Sequence, residues 1–341
     1  MKSTKIGILT IPLNQNFGGI LQAYALFKTI KALGYEAFVL LPRKTSFREV
    51  LKGIIDQMTP ASSFIHRNIN ILFVDFDHLF IELVRNGIDT VVVGSDQVWR
   101  PEFMNVKISF CGGFDFSRIK VLSYAASFGF DKWIYNSAET DFARKNISKF
   151  SGISVREDSA VKLCDKYLLA KAQHVLDPTM LLNKIQYLQM CNIKGEKYIF
   201  CYLLGYKDNA NIKFISNIQK RLEIRVKHIY LTNNKLLKRF RFQDTIQNWL
   251  SLICNSQLVI TDSFHGTVFS IIFNKPFYVL LNNNGGNSRI FSLLKIFGLE
   301  NRVIQSQNEI IDENIDWDNV NSELEKWKEK SLYFLKSILD D

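Results

Sequence analysis

The segment Thr261-Asp262-Ser263-Phe264-His265-Gly266-Thr267 joins an apolar run, Leu258 to Ile260, to a second apolar run that starts at Val268. A strand followed by a polar cluster and then a helix is the arrangement that open α/β sheets use to hold ligands, beyond the carboxyl ends of their strands. The first amides of such a helix attract anions. His265, Ser263, Gly266 and Thr267 are therefore candidates for contact with an anionic substrate. His265 can also move protons near neutral pH. The competing reading is a histidine satisfied within the core. The other four histidines (66, 78, 174 and 228) lack a comparable polar setting, and no pair has metal-ligand spacing.

Four further clusters have the same logic. Asn14-Gln15-Asn16-Phe17-Gly18-Gly19 links the first strand-like run to the first helix. Paired glycines let a ligand approach the backbone, though a plain turn would use them as well. The segment is not GxGxxG, so a dinucleotide site is not indicated. Gly94-Ser95-Asp96-Gln97-Val98-Trp99 offers a carboxylate, an amide and an indole, which suit sugar hydroxyls and a sugar ring face; alternatively Trp99 is core. Ser123 to Gly129, with Ser127 at its centre, could hold a ligand or only permit close packing. Arg156 follows a short strand, and Arg289 follows an Asn/Gly/Ser-rich loop. Each could bind phosphate or carboxylate through its planar fork. Arg156 could instead pair with a helix carboxylate, and Arg289 could be a surface residue.

The elements that must position these groups read as alternating strands and helices. Lys5 to Leu9 and Glu36 to Leu41 flank a helix from about 20 to 33, where Ile20, Tyr24, Phe27 and Ile30 recur at helical spacing. Gly34 is its expected stop. Short apolar runs follow at 90–93, 120–125, 153–155 and 173–176, with a helix over 157–170. Residues 45–88 read as helical with an irregular middle. A second alternation begins after Asp177-Pro178, with strands near 198–203, 225–231, 258–260 and 278–281. Two Rossmann-like domains facing across a cleft are expected, at 1–177 and 178–318, with a C-terminal amphipathic helix over 319–341.

A chain of 341 residues suits two cores. The N-terminus lacks a signal-peptide pattern, and no apolar stretch reaches the roughly 20 residues that a spanning helix needs. A cytoplasmic protein is expected. Five scattered cysteines without CxxC spacing point to free thiols rather than zinc or disulfides. The net charge of +10 is uneven, with ten basic and two acidic residues over 207–241 and ten acidic and four basic over 309–341. A solvated basic face is the plain reading. Peripheral contact with an anionic membrane surface is the alternative, on the inner face. No nucleic-acid module is present, and neither a P-loop nor Gly-x-Ser-x-Gly occurs.

Taken in order, Asn16-Phe17-Gly18-Gly19 with Leu21-Gln22, Gly94 to Trp99, Ser154 to Glu157, Leu176 to Thr179 and Thr261 to Gly266 resemble the polysaccharide pyruvyl transferases. The resemblance runs from about residue 5 to 303. It implies a GT-B-like fold and transfer of pyruvate from phosphoenolpyruvate to a sugar or lipid-linked oligosaccharide, giving a ketal and phosphate. It implies that Arg156 and His265 attend phosphoenolpyruvate, with Arg289 nearest to the place where the family often has a lysine. Arg100 stands where a smaller polar residue is expected. Asn16, Gly18, Gly19, Asp96, Gln97 and Ser127 are then the acceptor-side candidates. Phosphoenolpyruvate is a co-substrate in this scheme, and no cofactor or metal is assigned. A sugar-nucleotide glycosyltransferase and a non-catalytic glycan-binding protein are the competing functions.

Overall fold

The computed structural model describes residues 4–13, 16–43, 60–204, 209–230, 245–281, 286–304 and 314–341. Its contacts divide the chain into two compact units, Met1–Leu182 with Lys326–Asp341, and Asn183–Glu325.

The first unit is built on a seven-stranded parallel sheet in the order β3-β2-β1-β4-β5-β6-β7. Its strands are β1 Lys5–Leu9, β2 Glu36–Pro42, β3 Ile71–Val74, β4 Thr90–Asp96, β5 Lys120–Ala126, β6 Gly152–Val155 and β7 Gln173–His174. The helices are α1 Phe17–Ala32, α2 Pro60–Asn68, α3 Leu79–Arg85, α4 Val106–Ser109, α5 Ser137–Ile147 and α6 Asp158–Leu163, the last continuing as a π-helical turn over Cys164–Leu168. β4 lies between β1 and β5, pairing Val92 with Ile8 on one side and Leu122 on the other. Both faces of a central parallel strand are covered, which explains its unbroken Val-Val-Val run. α1 is buried on nearly all sides, so its sequence is apolar well beyond one stripe. It stops at Leu33, and Gly34 follows with φ 96°.

The second unit carries a five-stranded parallel sheet in the order β12-β11-β10-β8-β9. The strands are β8 Ile199–Leu203, β9 Val226–Tyr230, β10 Leu258–Thr261, β11 Phe277–Leu280 and β12 Val303–Ile304. Its helices are α7 Lys184–Leu188, α8 Asn209–Leu222, α9 Ile246–Asn255, α10 Phe264–Ile272 and α11 Asn287–Phe297, and α12 Trp317–Asp340 ends the chain.

Three expectations change. Ile71-Leu72-Phe73-Val74 forms an edge strand inside a stretch expected to be helical; four residues are too few to show a period. Residues 44–59 of that stretch lie outside the described residues. The unit boundary falls after Leu182 rather than Asp177. Asp177 caps the turn Pro178–Met180 by accepting from the Thr179 amide at 3.0 Å, and that turn packs on α1. Finally, α12 is not a separate appendage. Its last turns belong to the first unit, where the Leu176 amide donates to Ser331 Oγ at 3.0 Å, Lys120 Nζ donates to the Ile338 carbonyl at 3.0 Å, and Tyr35 donates to Asp340 at 2.6 Å.

Candidate active site

In each sheet a polar cluster lies at a topological switch point, the place where successive crossovers leave in opposite directions. In the first unit that point is between β1 and β4; in the second it is between β8 and β10. Open α/β sheets form a crevice there, beyond the carboxyl ends of the strands.

In the second unit β10 ends in a turn stitched on every side. Thr261 Oγ1 donates to the Tyr202 carbonyl at 2.7 Å and accepts from the Ser263 amide at 3.1 Å. Asp262 Oδ1 accepts from the Leu204 amide at 2.6 Å, which ties the ends of β8 and β10 together across the switch point. Ser263 is the N-cap of α10, its hydroxyl accepting from the Gly266 amide at 3.3 Å. Thr267 is fully buried and donates from its hydroxyl to the Ser263 carbonyl at 3.1 Å. Gly266 is glycine for a steric reason: a Cβ there would lie 2.4 Å from Thr261 Oγ1. Ser263, Gly266 and Thr267 therefore have internal tasks. What they build is a helix start that carries His265.

His265 is 7% exposed and meets the Phe264 ring edge-on, with centroids 5.2 Å apart. Arg289, in the first turn of α11, places its guanidinium 6.0 Å from the centroid of the same ring. That first turn contains no carboxylate. The structure thus brings His265 and Arg289 together around Phe264, beside the N-terminus of a nine-residue helix. An imidazole, a guanidinium and helix-end amides make a setting for an anion. Phe264 was not singled out from the sequence, since an aromatic beside a histidine has no distinctive spacing. Residues 282–285 of the loop before Arg289 lie outside the described residues.

In the first unit the segment after β1 and the end of β4 are joined. Asn16 caps α1, accepting from the Gly19 amide at 3.4 Å. Gln22 donates to the Gly19 carbonyl at 2.8 Å and to Thr10 Oγ1 at 3.0 Å, and Thr10 donates to the Ser95 carbonyl at 3.4 Å. Gly18 and Gly19 are buried in the first turn of α1, and a Cβ on Gly19 would stand 3.4 Å from Asp96 Oδ2. Asn14 and Gln15 lie outside the described residues.

Asp96 has φ 65°, a left-handed conformation uncommon for aspartate, and Ala125 on the neighbouring strand has φ 51°. Such backbone strain persists only where surrounding bonds enforce it. For Asp96 they do. Its Oδ1 accepts from the Gln97 amide at 3.0 Å and from Arg156 Nη2 at 3.2 Å. Arg156 Nη1 donates to Asp177 Oδ2 at 2.8 Å, and Ser95 Oγ reaches the same oxygen at 3.3 Å. The Arg156 side chain is 1% exposed. Burial opposes its charge, but Asp96, Asp177 and Glu157 outweigh that and hold its pKa above the usual arginine value.

Two sequence readings are corrected here. Arg156 is not a cation standing ready for an anion: its guanidinium lies between two buried carboxylates of its own unit, so it neutralises them and fixes Asp96. Trp99 is core, fully buried and stacked on Phe110 with centroids 5.3 Å apart. Ser127 is also fully buried, donating to Glu157 Oε1 at 2.9 Å and accepting from the Gly129 amide at 3.0 Å. Of the acceptor-side candidates, Asn16 and Gln97 remain accessible polar groups, and Asp96, next to Gln97, is only 2% exposed. Among the described residues no group of His, Cys, Asp and Glu could hold a metal ion, and no helix is long and apolar enough to cross a membrane.

A family model described as polysaccharide pyruvyl transferase matches residues 16–284. No curated protein matches the chain. Among solved structures, UDP-GlcNAc 2-epimerase from Methanocaldococcus jannaschii is similar with a TM-score of 0.52 and 14% identity, covering 94% of this chain and 92% of that one. UDP-GlcNAc 2-epimerase from Neisseria meningitidis bound to UDP-GlcNAc has a TM-score of 0.51 and 11% identity, covering 98% and 94%. UGT89C1 of Arabidopsis thaliana complexed with UDP-L-rhamnose has a TM-score of 0.50 and 12% identity, covering 99% and 94%. At these identities the likeness concerns the fold, which is of the GT-B type.

Proposed function

Since the chain belongs to the polysaccharide pyruvyl transferase family, we propose that it transfers pyruvate from phosphoenolpyruvate to a sugar of a polysaccharide or of its lipid-linked precursor. The product is a cyclic ketal, and inorganic phosphate is released. The observation that carries this reading is the meeting of His265 and Arg289 around Phe264 at the start of α10. Phosphoenolpyruvate bears a carboxylate and a phosphate, roughly three negative charges in all, and needs such a cluster of cations and helix-end amides.

The chemistry assigns each group a task. A proton adds to the methylene carbon C3, and one sugar hydroxyl forms a bond to C2. The C2–O bond to phosphate breaks with its electron pair on the phosphate oxygen. A second hydroxyl then closes the ring on C2. The two hydroxyl protons balance the one taken up by C3 and the one released with phosphate. His265 delivers and removes protons in this scheme. Arg289 and the amides at the start of α10 hold the anionic groups. Asn16, Asp96 and Gln97 hold the acceptor, and Arg156 contributes by fixing Asp96. The scheme calls on no metal. The acceptor is built at the cytoplasmic face of a membrane, and the net charge of +10 favours peripheral contact with anionic lipid there.

The test is incubation with phosphoenolpyruvate and a panel of sugars and lipid-linked sugars, with phosphate release and mass spectrometry for an acid-labile pyruvate adduct. His265→Ala removes the adduct; turnover near wild type in that variant would end its acid–base role. Sugar-nucleotide glycosyl transfer has only the fold likeness in its favour. It would release a nucleoside diphosphate in place of phosphate.

A further inference from the structure

Arg100 follows Trp99 at a position where a small polar residue was expected, and its surroundings give it a task. Its guanidinium is flanked by two aromatic rings, with centroids 4.8 Å away for Phe103 and 4.2 Å for Phe130. Its Nε donates to Glu102 at 3.0 Å, and its Nη1 donates to Gln97 Oε1, also at 3.0 Å. A planar fork held by two rings and a carboxylate has little freedom.

The consequence falls on Gln97. A carboxamide normally presents either its oxygen or its nitrogen, because rotation by half a turn exchanges them. Here the end facing Arg100 must be the oxygen, since the nitrogen would set donor against donor. Gly129 makes the room: a Cβ there would lie 2.3 Å from Gln97 Oε1 and 3.2 Å from Arg100 Cδ. Gln97 Nε2 is left as the outward group. Among the described residues it donates to none, and it is not sealed from solvent. The cation on its oxygen polarises the amide and strengthens Nε2 as a donor. Gln97 also follows directly on Asp96, at the switch point of the first sheet.

We infer that Arg100 locks Gln97 as a donor-only contact and so selects an acceptor sugar that carries an acyl oxygen, either an N-acetyl carbonyl or a uronic carboxylate. This rests on the reading of the first unit as the acceptor side and names the substrate class it takes. Asp96 supplies the complementary acceptor for a sugar hydroxyl. Arg100 acts through Gln97 and is a positioning residue.

The experiment measures binding without turnover. Methyl glycosides of N-acetylglucosamine, glucuronic acid and glucose are titrated into wild type, Gln97→Glu and Arg100→Ala by calorimetry, with saturation-transfer NMR as a second readout. Gln97→Glu keeps the pairing with Arg100 and the side-chain shape, and replaces the outward donor by a negatively charged oxygen acceptor; an unchanged melting curve verifies the fold. Wild type binds at least one acyl-bearing glycoside about tenfold more tightly than the glucoside, and the pair of acyl sugars shows whether carbonyl or carboxylate is preferred. Gln97→Glu abolishes that preference. Arg100→Ala narrows it, because the amide is then free to turn. Equal affinities in wild type, a preference that survives Gln97→Glu, or no measurable binding of any of the three would overturn the inference. Ketal formation with specificity unchanged in Gln97→Glu sinks this inference alone. A preference that shifts as described, without any consumption of phosphoenolpyruvate, removes the proposed function and leaves the inference standing.

Discussion

Replacing Arg156 by methionine tests whether that residue belongs to the architecture of the first unit. Methionine approximates the volume of the arginine stem but carries no charge, so the change leaves Asp96 and Asp177 buried without their shared cation. In the native structure that cation bonds to both, at 3.2 and 2.8 Å, from a side chain 1% exposed. Removing one member of a buried ion pair typically costs about 3–5 kcal/mol, most of it from the charge left behind. For a unit of this size each kcal/mol lowers the melting temperature by about 2–4 °C, so a fall of roughly 6–20 °C is expected. A second step isolates the cause. In the Arg156→Met background, Asp96→Asn and Asp177→Asn remove the stranded charges, and most of the lost stability returns. Differential scanning calorimetry of the wild type, Arg156→Met and the triple variant measures this. A fall of less than about 2 °C for Arg156→Met, or no recovery in the triple variant, would refute the account of Arg156 as the neutralising centre of a buried cluster.

Three further outcomes follow from the geometry. His174 is held below its usual pKa of 6.5, chiefly by burial, which outweighs the opposing effect of the Arg156 carbonyl 3.0 Å from its Nε2. The unfolded chain therefore binds this proton more readily than the folded one. The stability from neutral His174 is present above pH 6.5 and is lost as pH falls through the lower folded value. Melting curves from neutral to mildly acidic pH show that slope, and it flattens in His174→Gln. Gly266→Ala forces a methyl group to within 2.4 Å of Thr261 Oγ1 and costs about 1–3 kcal/mol, read from the denaturant midpoint. Ser331→Ala leaves the buried Leu176 amide without its acceptor and costs about 1–3 kcal/mol in the same assay, whereas Ser337→Ala, whose hydroxyl only returns to its own helix, stays within about 0.5 kcal/mol.

The parts of the fold visible in the sequence are those where one side of the chain states its own environment. β4 announces itself because a central strand needs apolar residues on both faces. β3 and β12 do not, because one is a four-residue edge strand and the other spans two residues, Val303–Ile304. The docking of α12 on the first unit was also hidden. Its amphipathic pattern says that one face is covered but not by what. Two of the contacts that fix the partner are the close packing of Ile338 on Gly152, where there is no room for a Cβ, and the serine reaching Leu176. Neither contact leaves a period in the sequence.

The candidate site follows the same rule one level up. Polar clusters after strands are legible because a sheet's carboxyl end is where a chain can place such residues without burying them unpaired. Their pairings are not legible, because they run between segments far apart in the chain. Arg156 shows the limit most clearly. As an arginine after a strand it reads as an anion ligand, and within ten residues only the carboxylates of Glu157, Asp158 and Asp165 speak against that. Its true neighbours, Asp96 and Asp177, lie 60 and 21 residues away. His265 and Arg289 were placed by position alone, and their meeting depends on the Phe264 ring. Arg100 is the converse case. It looked like a departure with no task, and only the proximity of Phe103, Phe130 and Gly129 turns it into a device that decides which end of Gln97 faces outward. A residue that breaks an expected pattern at a site rim is therefore the one to examine for substrate preference, since catalysis constrains the groups that must be alike and selectivity is free to act on those beside them.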